Sequence, residues 1–468
     1  MWHAIENRLG QHLIRIYELA VETIRLDATV GQVYHDPENH TLFQVSKAKN
    51  GLYGPLFKLM VASLDPLGMP LVVDGVAGNQ ADDPLYVPAY QRAKALVGGS
   101  GKLVVGDSKM SALATRATIV KGQDFYLTPL ADEKDEPALL DELLAPWVGR
   151  TEEATLIFLP EDLAAEGSQP EPEQAIALGF EVTRQRSASV AGKVVTWAER
   201  LLVIRSQSYR QTIQKGLDER LDKAEAAFRE LTPTAQRGKR PIKDEATLLA
   251  EIAQITKQRR VDGLFTLSYT QQISEKQVRG YKGNPPRTER KVRFELTVTR
   301  NQAALAAAHL RAGWRIYSTN APPEKLSLQQ AVLAYRNQYI EENVFARLHG
   351  KFLSITPLYI QRDDHASGLF HLLTLAVRLL ALGDYQSRQA LAQQRTELAG
   401  IYDGIAKRST ATPTTERLLK AFEHINLLIL TPTQAQTRTF VTPLTPVQVR
   451  ILALLGLSTS LYTNLQMT

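Results

Sequence analysis

Three acidic residues stand where metal-assisted phosphodiester chemistry would need them. Asp27 lies among apolar neighbours in the strand-like run IRLDATV, where a carboxylate requires a reason. Asp107 ends the short apolar run KLVVG, and the ends of strands in open α/β sheets are where ligands gather. Glu342 falls within YIEENVFARLHG, read as part of one long helix from about Ser327 to Gly350. On an unbroken helix Tyr335, Glu342 and His349, seven apart, share one face, with Gln338 and Phe345 between them. Two strand aspartates and a helical glutamate suit a pair of Mg²⁺ ions, which take few carboxylates and keep much of their water. Two such ions activate an attacking oxygen and stabilise a leaving one. The chain holds 49 acidic residues, so spacing alone does not select these three.

The elements that must position them read as follows. Thr23–Val30, Leu56–Asp65 and Leu71–Val76 are strands, the last two joined by the turn chemistry of DPLGMP. A helix over Val87–Leu96 precedes the strand Lys102–Gly106, and Phe125–Leu130 supplies a fifth strand. Three strands joined by tight turns, followed by alternating helices and strands, predict a mixed sheet flanked by helices. From Ala131 to Phe180 there are 13 acidic and 2 basic residues, whereas Arg205 to Arg300 holds 21 basic and 12 acidic ones. This shift in charge predicts a separate α+β module with its own partners. Trp314–Thr319 is again a strand, Gly368 to Gly383 an apolar core helix, and the remainder a helical appendage. The domains expected are thus 1–130 and 312–395 as two parts of one catalytic domain, 131–311 as an insertion, and 396–468 as a C-terminal helical region.

Composition removes several alternatives. With no cysteine there is no thiolate nucleophile, disulfide or zinc–thiolate site. The nine histidines include no HExxH pair, and VGGSGK (97–102) lacks phosphate-loop spacing. Trp314 reads as core and GNQADD (78–83) as a helix-capping turn. The opening residues lack a signal-peptide core, and the apolar stretch at 368–383 carries His371 and Arg378 and is short for a bilayer. A cytoplasmic protein with no membrane partner is the expectation. A net charge of +6 and a pI near 9.2 are consistent with a polyanion, and QRGKRPIK and KQVRGYKGNPPRTERKVR, with Tyr281, suit phosphates and bases.

The runs DPLGMPLVVDGVAGNQADDPLYVPAYQRAKAL, KLVVGDSKMSALATRATI and FYLTPL resemble the DDE transposases of bacterial insertion sequences. GWRIYSTNAP and LSLQQAVLAYRNQYIEENVFARLHGKFLSITPLYIQRDDHASGLFHLLTLAVRLLAL resemble that family's distal half, in the branch with the signature Y-x₂-R-x₃-E-x₆-K. The resemblance implies a ribonuclease H-like mixed sheet interrupted by an insertion domain. It makes Asp27, Asp107 and Glu342 both catalytic residues and ligands of Mg²⁺, or of Mn²⁺ as a substitute. The signature tyrosine falls on Tyr335. Gln338 and His349 stand where the family has arginine and lysine, and Arg336, Arg347 and Lys351 are basic residues beside them. Those residues, with Tyr335, His349 and Lys109, are the expected contacts to DNA. The implied activity is metal-dependent cleavage at insertion-sequence ends followed by 3′-hydroxyl attack on target DNA. It implies double-stranded terminal inverted repeats and target DNA as partners, a homodimer on that DNA, and a nucleoid-associated place in the cytoplasm. Members of the family begin with a helical DNA-binding region well before the first aspartate, whereas Asp27 almost opens this sequence. The alternative expectation is therefore an N-terminally truncated, inactive remnant that at most binds DNA or other subunits.

Overall fold

A computed structural model describes residues 2–48, 51–130, 138–164, 170–232, 242, 244–278, 287–405, 407–431 and 438–465. The chain divides into two compact units, one of residues 1–131, 183–201 and 317–468, the other of 132–182 and 202–316.

The first unit is a mixed sheet flanked by helices. Its strands are β1 (Thr23–Gln32), β2 (Gln44–Lys47), β3 (Tyr53–Asp65), β4 (Met69–Ala77), β5 (Leu103–Gly106) and β6 (Phe125–Pro129). The first helices are α1 (Trp2–Ile16), α2 (Tyr86–Val97) and α3 (Leu113–Lys121). β3 is the near-continuous apolar run read from the sequence, and its residues from Leu56 to Leu64 are almost all buried, as a strand covered on both faces must be. It pairs antiparallel with β4 on one side and β1 on the other; β1 then runs parallel to β5, and β5 parallel to β6. Beyond β6 come parts of β7 (Ala177–Val190), β8 (Lys193–Ser206) and β9 (Trp314–Thr319), in the order β6-β9-β8-β7. Residues 183–201, read from sequence as part of the inserted module, therefore pack in the first unit.

The reason is a buried ion cluster. Glu199 of β8 is fully buried and accepts hydrogen bonds from Tyr126 (2.8 Å), Ser318 (2.7 Å), Arg184 (2.7 Å) and the equally buried Arg116. Burial alone would raise its pKa; the charge of Arg116 and these hydrogen bonds outweigh that and bring it down to about 2. A second cluster fixes α1, whose buried Glu6 meets Arg92 (2.6 Å) and His371 (2.9 Å), with Trp2 stacked on the His371 ring.

The distal part holds α4 (Leu328–Arg336), α5 (Tyr339–His349) and α6 (Asp363–Gln394). The single helix expected over 327–350 is thus two. α6 has 32 residues, twice the stretch read from sequence, and is long and apolar enough to cross a membrane. It packs against β4, with buried Arg378 donating to the Leu71 carbonyl (2.6 Å). The C-terminal region is not purely helical: short strands pair at Leu398–Ala399 with Ser409–Thr410, and at Leu427–Leu430 with Arg438–Val441.

In the second unit the helices Gln207–Leu231 and Glu245–Arg259 pack with a long antiparallel hairpin, Phe265–Val278 with Arg287–Arg300. Leu217, Leu221, Phe228 and Val261 form its core. Trp314 is buried there against Phe180, as read. Most of QRGKRPIK, and the stretch from Arg279 to Pro286 that includes Tyr281, lie outside the described residues.

Candidate active site

The pleat of β1 brings Arg25, Asp27 and Thr29 to one face, because side chains alternate along a strand. Each of the three reaches the layer formed by α4 and α5. Arg25 is buried, pairs with Asp65 (2.6 Å) and donates to the Ala334 carbonyl (2.5 Å) near the end of α4. Thr29 hydrogen-bonds the His349 ring (3.1 Å) at the far end of α5. Between them Asp27 shares a cavity with Glu341, not with Glu342. A small cavity of about 10 Å³ is lined by Arg25, Asp27, Asp107, Tyr335, Gln338 and Glu341, with Leu26, Val105 and Gly106 behind them. That volume suffices for about one water-sized occupant.

The displacement by one residue has a local cause. At the junction of α4 and α5 the backbone closes tight turns: the Gln338 N–H bonds the Tyr335 carbonyl, Ile340 that of Asn337, and Glu341 that of Gln338, all 3.0–3.1 Å. Such i→i+3 bonding places residues three apart directly above one another. Tyr335, Gln338 and Glu341 therefore line the cavity together, and the seven-residue spacing from Tyr335 no longer selects Glu342. Glu341 is 1% exposed, beside the buried stripe Ile340, Val344 and Leu348, whereas Glu342 is exposed to solvent. Gly68, in the β3–β4 turn, admits this packing. Its φ is +64°, and a Cβ there would come within 3.2 Å of the Ile340 side chain.

Asp107 caps the single turn Ser108–Ser111 that follows β5, accepting the Lys109 N–H (2.8 Å) and the Tyr86 hydroxyl (2.6 Å). Burial, and then the adjacent Asp107 charge, raise the Tyr86 pKa far above the phenolic range, so the hydroxyl remains a donor. Glu341 Oε2 accepts from the buried Ser63 hydroxyl, while Oε1 is buried with no hydrogen-bond partner. Burial foremost, with the charge of Asp27 adding to it, pushes the Glu341 carboxyl up to about 8.

This shift has a measurable consequence. A carboxyl whose pKa is raised on folding contributes stability below its ordinary value of 4.5 and loses it as pH rises towards 8. In chelator, urea unfolding of the protein should show this loss between pH 5 and pH 8, on the order of 3–5 kcal/mol. Glu341→Gln should remove this part of the pH dependence; an unchanged slope would place the glutamate elsewhere.

The other expected contacts are placed as follows. Tyr335 packs on Tyr317 (ring centroids 4.7 Å apart) and Lys109 is exposed beside Asp107. Arg336 is exposed at the end of α4, and His349 is half-buried between Thr29 and Thr356. Arg347 is mostly buried and ion-paired. It is held by Asp384 (2.7 Å) and Glu416 (2.8 Å), and although burial alone would lower its pKa, these carboxylates raise it. It lines, with exposed Lys351, a different cavity of about 440 Å³. Asp82 pairs with Lys58 (2.7 Å) and makes no side-chain cap.

Among the described residues no group of three or more histidine or acidic side chains stands ready to hold a metal ion. The donors around the small cavity still fit a hard divalent cation. Asp27, Asp107 and Glu341 offer carboxylate oxygens beside the Arg25 guanidinium, which is paired with Asp65, and a buried carboxylate oxygen of Glu341 has no partner. Mg²⁺ itself uses one or two carboxylates, completed by waters and substrate phosphates. Sequence reasoning missed Glu341, although the apolar spacing of Ile340, Val344 and Leu348 marks the inward side of α5. It also missed Tyr86 and Ser63, which have no signal beyond burial.

No protein-family model and no curated protein matches the sequence. Among solved structures the chain is similar to the piggyBac transposase synaptic complex with hairpin DNA, determined by cryo-electron microscopy, at 10% identity and a TM-score of 0.21. The match covers 78% of this chain and 63% of that one, so the chain spans less than two thirds of that protein's length. At such a TM-score, fold and function rest on the chain's own residues.

Proposed function

We propose that the chain is a DDE-type DNA transposase whose carboxylates are Asp27, Asp107 and Glu341. The observation that carries the reading is the buried, unpartnered Glu341 oxygen at the cavity that Asp27 and Asp107 also line. The strand order β4-β3-β1-β5-β6, with one antiparallel trio and two parallel neighbours, supports it as the order of ribonuclease H-like sheets. The sequence resemblance supports it independently, with the acidic and basic stretch between Asp107 and α4 as the family's insertion domain. Cleavage at insertion-sequence ends, strand transfer by the freed 3′-hydroxyl, action as a homodimer on DNA and a nucleoid location belong to the same proposal.

Mg²⁺, when bound, would supply the Lewis acidity that activates water and stabilises the leaving oxygen. The chain's own groups prepare the ground for it. Asp107 is oriented by Tyr86 and the Lys109 amide, and Ser63 fixes one oxygen of Glu341. Glu341 must shed its proton to act as a ligand, so cation binding there would release a proton and strengthen as pH rises. Tyr335 and Gln338, which line the same cavity, would border the DNA strand end.

A second reading, a DNA-binding remnant without turnover, is favoured by Gln338 and His349 in the signature's basic positions and by the inward ion pairing of Arg347. Labelled DNA bearing the element's own ends, incubated with Mg²⁺ or Mn²⁺, separates the two. Metal-dependent nicking at the ends, lost in Asp27→Asn, is the expected result; binding without cleavage under all conditions favours the remnant.

A further inference from the structure

Beyond the carboxylates, strand β1 runs on into an unusual pair of side chains. Val33, just past its end, forms an isolated parallel bridge with Leu358, and both are buried. Residues that follow the two members of a parallel bridge share the opposite side, on backbones about 5 Å apart. Those residues are Tyr34 and Tyr359, exposed to 82% and 78%. Their rings flank a cleft of about 480 Å³ whose wall includes Gln32, His349 and Thr356. That volume is in the range of small-molecule sites. Two aromatic faces left in water beside hydroxyl, amide and imidazole groups suit a flat, apolar-faced ligand with a polar rim.

The position of the cleft narrows the ligand. Gly31, which lines it, lies four residues along β1 from Asp27, about 13 Å at strand rise. The His349 ring at the cleft hydrogen-bonds Thr29, on the same face as Asp27. We infer that Tyr34 and Tyr359 form a stacking platform for an unpaired nucleobase of the DNA strand whose phosphate lies at the carboxylates. In a paired duplex the base faces are hidden by stacking, so only an unpaired or displaced base meets this surface. The inference rests on the proposed function, and it adds a distinct binding site with its own preference for single-stranded DNA.

The test is equilibrium binding of the full-length protein, without divalent cation, to fluorescent duplexes that are blunt or carry a short unpaired extension. The wild-type protein should prefer the extension. Tyr34→Ala and Tyr359→Ala should each weaken that binding by roughly five- to a hundredfold, the range of one base–aromatic stack. Blunt-duplex affinity should stay within about twofold, as for other surface changes, and Tyr34→Trp should retain the preference. Both tyrosines are exposed, and matched thermal unfolding confirms that the variants fold. Equal affinity for the two duplexes, or alanine variants that bind the extension like the wild type, overturns the platform whether or not the protein cleaves DNA. Loss of cleavage on Asp27→Asn with the preference for the extension intact separates this site from the carboxylates.

Discussion

Glu341→Gln is expected to lower metal-dependent cleavage by roughly a thousandfold or more, while Glu342→Gln leaves it within about twofold. The two side chains are consecutive, of the same residue type and on one helix, so what sets them apart is where α5 points them. Glu341 is buried at the cavity that Asp27 and Asp107 line; Glu342 faces solvent. The glutamine keeps the shape and the Ser63 contact but removes the charge. In chelator at pH 8 it should also raise the urea midpoint, since an amide costs less to bury than a carboxylate that must ionise there. A variant more stable yet inactive is the signature of a group kept for chemistry rather than for packing. Inactivity of Glu342→Gln with activity in Glu341→Gln would reverse the assignment.

The largest effect on stability is expected at Glu199. Glu199→Ala removes the carboxylate to which Arg116, Arg184, Tyr126 and Ser318 all donate, and leaves the fully buried Arg116 facing a cavity. Breaking a buried pair from one side costs about 3–5 kcal/mol. Urea unfolding at pH 7 should show that loss, and a change under about 1 kcal/mol would contradict the cluster's role in joining β6, β8 and β9. The pH dependence is opposite in sign to that of Glu341. A carboxyl held down at about 2 contributes stability above its ordinary value, which drains away as pH falls from 4.5 towards 2. The wild-type protein should therefore lose stability towards acid in a way the alanine variant does not.

Much of this arrangement was legible in the residues. The apolar runs of β1, β3, β4 and β5 marked the sheet, and the strand end in KLVVG marked Asp107, because burial on two faces and the ends of strands in open sheets leave local signatures. Glu341 was hidden by the junction of α4 and α5. Neither proline nor glycine stands in YRNQYI to announce it, so the run reads as one helix, and the phase counted from Tyr335 arrives one residue late. Glu199 was hidden for another reason. Arg184, Tyr126, Arg116 and Ser318 lie 15 to 119 residues away in the chain, and nothing near VTWAERLLV tells a surface glutamate from the hub of a core. The ion pairs of Arg347 were equally hidden, because Asp384 and Glu416 lie 37 and 69 residues away in the chain.

Asp27, Asp107 and Glu341 are expected to hold a divalent cation together for DNA cleavage. Crystals of the protein with end DNA, soaked in Mn²⁺, test it most directly through anomalous scattering. The expected result is an anomalous peak bounded by the carboxylates of Asp27 and Asp107 with Glu341 turned to it, absent from crystals of Asp27→Asn. Manganese bound only at other residues, or a peak that involves Glu342 in place of Glu341, would contradict it.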